Sequence, residues 1–410
     1  MAFIKPFRGV RPRKDLAEKV ASLPYDVMNV EEARRMAEGN RYSFLHVSRP
    51  EIDLPSEVDP YDQRVHQRGR ENLQGLMREG VLLQDAEEHY YIYRQKMGKV
   101  TQTGLVACSG VDDYDSGVIR KHELTRADKE EDRIRHIDCL DANDEPVFYT
   151  FRSTGEVKEL LAALTREEPE YDFTTGDGVS HTFWVVRDTA AISRLTALFA
   201  ATETLYVADG HHRSAAASRV RELRRRAGGS GGEYDSFLTV IFPHDEMNIM
   251  AYNRVVKDLN GMDAAAFLSR LGERFEVRRV AEAYVPQRPH LFGMYLEGLW
   301  YELTPQAELV DESDPVKRLD VTILQESLLQ PLLSVGNPRT DKRIDFVGGI
   351  RGVAELERLV DQGLHKVAFS LHPTSIEDLM ALADAGEIMP PKSTWFEPKL
   401  RSGLVIHLLT

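Results

Sequence analysis

The segment Asp209-Gly-His-His-Arg213 concentrates residues that bind anions. The preceding run is typical of a strand and the alanine-rich run after it has helical spacing, which predicts a sharp turn at Gly210 and a new helix. His211, His212 and Arg213 would lie at the helix N-terminus, where free N–H groups and the helix dipole favour an anion. Arginine can also bind phosphate through two N–H groups. The pattern predicts a phosphate-binding site, with helix capping by the aspartate as the structural alternative.

A second reactive segment, Arg120-Lys-His-Glu-Leu-Thr125, lies upstream. Its His122-Glu123 pair begins like the zinc-protease pattern HExxH, but position 126 is an arginine, which excludes that pattern. Thr125 and Asp128 predict a capping box for a helix over residues 127–136. Glu123 would then lie in a basic loop just before the helix. It is a candidate general base there, and a solvated surface carboxylate fits the same spacing equally well.

A third cluster lies near the C-terminus, where two prolines precede Lys392, Ser393 and Thr394. Lysine and hydroxyl groups bind phosphate or carboxylate oxygens, so the loop is a candidate donor-binding segment. A surface loop anchored by aromatic residues is the alternative interpretation. Further candidates for substrate binding are Arg8, Arg49, His122 and Lys399, although spacing alone assigns them no role.

Composition limits the classes of protein that could hold these segments. The 410 residues, 42% of them apolar, suffice for two or three domains with buried cores. A net charge of −14 disfavours extensive nucleic-acid binding. Cys108 and Cys139 lack the spacing of a disulfide framework or a structural zinc site. No signal-peptide or membrane-span pattern occurs, so we predict a soluble cytoplasmic protein, with an enzyme favoured over a scaffold.

Strands and helices alternate through the middle of the chain, which predicts an α/β or α+β fold. We expect a helical and irregular region over residues 1–86, a core over 87–256, and a C-terminal α+β domain over 257–410 that returns to the site. Strands are predicted at 89–93, 103–108, 117–119, 147–151, 182–186, 204–207, 237–242 and 403–409. Helices are predicted at 30–38, 64–79, 264–275 and 321–333, and a further hairpin at 290–303.

The two reactive segments together resemble the ParB/sulfiredoxin-like superfamily, which pairs an upstream His-Glu loop with a downstream Asp-Gly-His-His-Arg box. The whole chain resembles a bacterial family, domain of unknown function 1015. The matching segments are Phe7-Arg-Gly-Val-Arg-Pro12, Pro24-Tyr-Asp-Val27, Ser43-Phe-Leu-His-Val47 and Pro391-Lys-Ser-Thr-Trp-Phe-Glu-Pro-Lys399. The resemblance therefore runs nearly end to end and implies a ParB-like mixed core. The stretch between Glu123 and Asp209 is longer than such a core needs, which implies an insertion.

The same box occurs in the free-serine kinases of that superfamily, which make O-phospho-L-serine from L-serine. This resemblance implies that Glu123 and His211 are catalytic, with Glu123 as the base on the serine hydroxyl. It also implies that the segment from Asp209 to Arg213 holds the donor phosphates, with Asp209 as a ligand of Mg²⁺. ParB proteins, which bind CTP and DNA, share the box, so it identifies a phosphate site better than a reaction.

We therefore predict a small-molecule phosphotransferase, a free L-serine kinase with ATP, ADP or pyrophosphate as the donor and Mg²⁺ as the cofactor. Because no Walker A motif occurs, pyrophosphate fits the short anion site at least as well as a nucleotide. A ParB-like nucleotide-binding or DNA-binding regulator is the alternative, disfavoured by the acidic charge and the lack of a helix-turn-helix pattern. A phosphoserine phosphatase would use the same pocket. No membrane partner is expected, and the oligomeric state is left open.

Overall fold

The protein consists of two units, and the first unit is formed by two separate segments of the chain. The computed structural model describes residues 1–410. Its first unit comprises Met1–Met247 and Pro398–Thr410, and its second unit comprises Asn248–Glu397. The predicted segments 1–86, 87–256 and 257–410 do not coincide with these units. The reason is that strands near both chain termini pair with strands of the first unit.

The first unit contains most of the regular structure. Its strands up to residue 247 are β1 (Ile4–Lys5), β2 (Val10–Pro12), β3 (Leu82–Gln84), β4 (Tyr90–Met97), β5 (Val100–Gly110), β6 (Ile119–Arg120), β7 (Ala142–Asn143), β8 (Val147–Phe151), β9 (Tyr171–Thr174), β10 (Ser180–Val186), β11 (Leu205–Asp209) and β12 (Ser236–Pro243). Its helices are α1 (Ala17–Val20), α2 (Val30–Ala37), α3 (Leu45–Ser48), α4 (Gln63–Arg78), α5 (Val111–Ser116), α6 (Ala127–Leu140), α7 (Gly155–Leu164), α8 (Thr189–Ala200) and α9 (His211–Arg226).

Nine strands of this unit form one mixed sheet in the order β6-β11-β8-β12-β5-β4-β10-β9, with β1 beside β5. The pairs β6–β11 and β8–β12 are parallel, and the other neighbours are antiparallel. Strands β8 and β12 are buried along their whole length, as central strands covered on both faces are. The predicted mixed α+β class is confirmed, and the edge formed by β6 and β11 carries both reactive segments.

The second unit is built around an antiparallel sheet of six strands in the order β15-β17-β16-β19-β14-β18. Its strands are β13 (Ile249–Met250), β14 (Tyr252–Val256), β15 (Phe275–Val280), β16 (Phe292–Leu296), β17 (Leu299–Pro305), β18 (Ile344–Gly348), β19 (Val367–Leu371) and β20 (Trp395–Phe396). Its helices are α10 (Ala264–Leu271), α11 (Asp320–Leu324), α12 (Gly352–Asp361) and α13 (Ile376–Asp384). The chain then returns to the first unit, where β21 (His407–Leu408) pairs with β7.

Several predicted elements are shorter in the structure. The helix predicted over 264–275 ends before Gly272, which has low helix propensity, and β15 begins at Phe275. The helix predicted over 321–333 is α-helical only in α11 and continues as a π-helical turn. The strand predicted over 403–409 is reduced to His407–Leu408, and Gly403, the first residue of the predicted span, lies in a turn with a φ of +86°. No helix is long and apolar enough to cross a membrane.

Candidate active site

The strand, turn and helix predicted around the Asp-Gly-His-His-Arg segment are present. Strand β11 ends at Asp209, Gly210 has a φ of +97°, and α9 begins at His211. A left-handed conformation of this kind favours glycine. A Cβ on Gly210 would also lie 3.1 Å from the guanidinium of Arg213. The turn therefore needs glycine both for its backbone and for the space that Arg213 occupies.

Asp209 is part of an ion pair and does not cap the helix. The Nζ of Lys399 donates to Asp209 Oδ2 at 2.9 Å, and Arg213 Nη2 lies 4.0 Å from Oδ1. Burial would raise the pKa of Asp209, but the charges of Lys399 and Arg213 hold that pKa well below its usual range. Because Gly210 is the N-cap of α9 and no side chain caps it, the capping alternative is wrong.

The imidazole of His211 faces that of His122 from the upstream segment. The ring centroids lie 4.4 Å apart with an interplanar angle of 88°. Both rings are buried, and burial lowers the pKa of His122 to about 4 and the pKa of His211 well below its usual value. Both imidazoles are therefore neutral at pH 7. His122 Nδ1 and His211 Nε2 have no hydrogen-bond partner.

Glu123, the predicted base, lies in the loop between β6 and α6 and is half-buried. Ligand atoms of His122, Glu123 and His211 all lie within 4.8 Å of one another. This proximity follows from the sheet, because parallel pairing of β6 with β11 brings the ends of both strands to one edge. The structure thus brings together the two segments that the sequence singled out.

His212 and Arg213 have different surroundings from His211. His212 Nε2 accepts a hydrogen bond from the backbone N–H of Arg126 at 3.1 Å, and burial lowers its pKa. Arg213 is buried and donates through Nη1 to the carbonyl of Pro146, while its Nε has no partner. The two adjacent histidines therefore have different neighbours and do not share one ion.

The capping box predicted at the start of α6 is wrong. The N-cap of α6 is Arg126, which makes no side-chain capping hydrogen bond. The hydroxyl of Thr125 donates instead to the Glu130 carboxylate at 2.7 Å. Thr125 therefore fixes the loop that follows Glu123 by bonding to the body of the helix.

A turn over Tyr25–Val27 lies near Arg213, and the sequence patterns assigned it no role. The Asp26 carboxylate contributes to raising the pKa of Arg213, which burial on its own would lower. Glu145 accepts a hydrogen bond from the backbone N–H of Tyr25 at 3.0 Å, and burial together with Asp144 raises its pKa to about 7. In the sequence, this turn corresponds to Pro24-Tyr-Asp-Val27, one of the segments that match the family.

The remaining predicted residues have structural contacts of their own. Arg49 Nη1 donates to the carbonyls of Tyr25 and Met28 at 2.6 and 2.8 Å, so it anchors the turn that holds Asp26. Arg8 is exposed, and its Nε donates to the carbonyl of Asp85 at 3.1 Å.

The C-terminal loop residues belong to the second unit. Ser393 is buried and its hydroxyl donates to the carbonyl of Pro390 at 2.6 Å. Lys392 is exposed with a φ of +59°, and its Nζ lies 5.5 Å from the centroid of the Tyr252 ring. Thr394 is half-buried. Their role in donor binding stays a prediction.

Magnesium prefers oxygen ligands in an octahedral arrangement and usually keeps several waters. Asp209, the predicted ligand, is bonded to Lys399 and lies near Arg213. The group around Glu123 supplies two nitrogens and only one carboxylate. The residues present therefore do not fit a Mg²⁺ held by the protein itself.

The chain belongs to a family described as protein of unknown function (DUF1015), whose model matches residues 4–322. No curated protein matches it. Among solved structures, it is similar to a conserved hypothetical protein from Pyrococcus furiosus, with 15% identity over 73% of this chain and 93% of that chain and a TM-score of 0.34. A free serine kinase in complex with AMP shows 15% identity over 72% and 86%, with a TM-score of 0.34. A C-terminally truncated SbnI from Staphylococcus aureus shows 13% identity over 71% and 82%, with a TM-score of 0.37.

Proposed function

We propose that this protein is a small-molecule phosphotransferase that converts free L-serine into O-phospho-L-serine. The observation that carries the proposal is the position of Glu123 beside His211 at the N-terminal end of α9, where ligand atoms of the two residues lie within 4.8 Å. A carboxylate that can accept a proton therefore lies next to a helix N-terminus that favours phosphate.

In the proposed reaction, the serine hydroxyl oxygen attacks the terminal phosphorus of the donor. The hydroxyl proton passes to the Glu123 carboxylate, and the bond between that phosphorus and the bridging oxygen breaks. The bridging oxygen keeps the electron pair and leaves with the remainder of the donor. Phosphoryl transfer of this kind depends on alignment and charge stabilisation more than on covalent chemistry by the protein.

The first turn of α9 supplies the groups for the donor phosphates. Its backbone N–H groups have no partner inside the helix, and they begin directly after Gly210. His212 and Arg213, in the same first turn, are proposed to add side-chain donors to the phosphates. A phosphate near His212 would favour the protonated imidazole, which burial disfavours in the ligand-free protein.

The acceptor and the donor are assigned from sequence. The pairing of His122-Glu123 with the downstream box resembles the free-serine kinases, and this resemblance supports L-serine as the acceptor. The donor is ATP, ADP or pyrophosphate. Mg²⁺ would be held by the donor, because Asp209 is already paired with Lys399, and it would supply positive charge to the transferred group. Lys392, Ser393 and Thr394 are proposed to add to donor binding, and Lys392→Ala tests this through the KM for the donor.

Phosphorus NMR tests the reaction directly. The purified protein is incubated with L-serine, Mg²⁺ and ATP, ADP or pyrophosphate in separate samples. The proposal predicts a phosphoserine resonance that grows with one of the donors and requires serine. Absence of product with all three donors, together with release of phosphate from added phosphoserine, would contradict the kinase and identify a phosphatase. Retention on heparin up to high salt would instead support the DNA-binding alternative.

A further inference from the structure

The proposed reaction uses Glu123 and the first turn of α9 but gives no task to the ring of His122. That ring is 2% exposed and its Nδ1 has no hydrogen-bond partner. The Nε2 of His211, 6% exposed, also lacks a partner. A buried polar atom without a partner loses its hydrogen bonds to water and gains none in the protein, which lowers stability by about 1–3 kcal/mol. Two such nitrogens on facing rings therefore need an explanation.

The contacts of His122 indicate how its ring is protonated. His122 also makes a hydrogen bond to the backbone of Val207, one strand away in the sheet. A neutral imidazole that donates one N–H to a carbonyl carries a lone pair on its other nitrogen, here Nδ1. Carbonyl-anchored histidines of this kind are the usual ligands in protein metal sites, because the anchor fixes both the ring and its tautomer.

We propose that His122, Glu123 and His211 together bind one divalent transition-metal ion of the Zn²⁺ or Co²⁺ class. Two imidazole nitrogens and one carboxylate are a common ligand set for such ions, and three protein ligands leave a further position for water. This site goes beyond the proposed phosphotransfer, which requires no metal ligand from the protein.

The geometry is close to that of a bound site. Bonds of about 2.0–2.2 Å in a tetrahedral arrangement place ligand atoms roughly 3.4 Å apart. The ligand atoms of the three residues lie within 4.8 Å of one another, so closure requires movements of about an ångström. Glu123 is half-buried in a loop, whereas the two rings are buried.

The ligand set also sets the ion preference. Imidazole nitrogens favour zinc, cobalt and nickel over magnesium, which favours oxygen. If Glu123 is the base of the proposed reaction, an ion on its carboxylate would inhibit turnover. That consequence rests on the proposed function, whereas binding of the ion does not.

Titration of the metal-free full-length protein with Co²⁺, followed by its visible absorption, tests the site without donor or serine. We expect one ion per chain, and we expect that a hundredfold excess of Mg²⁺ leaves the spectrum unchanged while Zn²⁺ abolishes it. His211→Asn and Glu123→Gln should each weaken binding at least about tenfold. His212→Asn is the matched control, because it changes the adjacent histidine, which faces Arg126, and it should bind as the wild type does.

Thermal unfolding of each variant establishes whether it is folded. If His211→Asn does not fold, Glu123→Gln still tests the site, because Glu123 lies half-buried in a loop. The site would be refuted by a folded wild-type protein that binds no stoichiometric Co²⁺. It would also be refuted if Mg²⁺ displaced the ion, or if His212→Asn weakened binding as much as His211→Asn. Because the experiment measures only metal binding, absence of kinase activity would not contradict the metal site. Absence of metal binding would likewise not contradict the proposed kinase activity.

Discussion

The ammonium group of Lys399 lies 2.9 Å from the carboxylate of Asp209, although 190 positions separate the two residues in the chain. The backbone around Lys399 is fixed as well, because Gln95 Nε2 donates to its carbonyl at 2.7 Å. Lys399 was predicted to bind substrate, and in the structure it neutralises the aspartate that precedes Gly210. The segment Pro398–Thr410 thereby takes part in the candidate site.

The Lys399–Asp209 pair should contribute measurably to stability, because its side chains are only 12% and 29% exposed. Lys399→Ala leaves Asp209 with Arg213 as its remaining cationic partner, and we expect the free energy of unfolding to fall by about 1–3 kcal/mol. The control is Lys158→Ala, which breaks an exposed 2.7 Å pair with Asp245 and should cost less than about 1 kcal/mol. Equal losses in urea unfolding would show that the pair is no stronger than a surface ion pair.

Gly210→Ala should affect both stability and donor binding. An alanine at this φ is strained by roughly 1–2 kcal/mol, and its Cβ would press on the guanidinium of Arg213. Gly117→Ala is the matched control, because Gly117 has a φ of +84° and open space around its Cβ position. Calorimetry should show weaker pyrophosphate or nucleotide binding for Gly210→Ala only. Unchanged binding would mean that Arg213 does not contact the donor.

The sequence predicts the components of the site better than their contacts. The turn at Gly210 and the start of α9 follow from local patterns, since glycine, a preceding strand and an alanine-rich helix are all local signals. The meeting of His122 with His211 depends on β6 pairing with β11, a long-range contact that no local pattern specifies. The partner of Asp209 was unpredictable for the same reason.

Arg49 should be a structural residue. Its Nη1 holds the carbonyls of Tyr25 and Met28, so Arg49→Ala leaves two acceptors without a donor. We expect a loss of about 1–3 kcal/mol in the free energy of unfolding. Arg8→Ala, at an exposed position, should stay within about 0.5 kcal/mol of the wild type. A raised KM for serine with unchanged stability in Arg49→Ala would restore its predicted role in substrate binding.

Asp320 in the second unit should make stability depend on pH. Burial raises its pKa to about 6, and its Oδ2 has no partner. Between the ordinary pKa near 3.8 and the folded pKa near 6, the folded state keeps a proton that the unfolded state has lost. Stability therefore falls as the pH rises through this window, and the loss is complete above pH 6.

Asp320→Asn removes that ionisation, so it should raise the melting temperature at pH 7.5 and change it much less at pH 4. The control is Glu273→Gln at an exposed position of the same unit, which should show no such difference between the two pH values. A melting temperature for Asp320→Asn that is unchanged or lowered at pH 7.5 would mean that the carboxylate is satisfied in the folded state.

In the proposed mechanism, Glu123 accepts the proton of the serine hydroxyl. The turnover of Glu123→Gln, measured by phosphorus NMR with L-serine, Mg²⁺ and the active donor, tests this role. A glutamine keeps the shape of the side chain but cannot take the proton, so kcat should fall by ~10²–10⁴ while calorimetry shows unchanged donor affinity. Glu131→Gln, which changes an exposed carboxylate paired with Arg135, should retain wild-type turnover. Near-wild-type kcat in Glu123→Gln would contradict the mechanism.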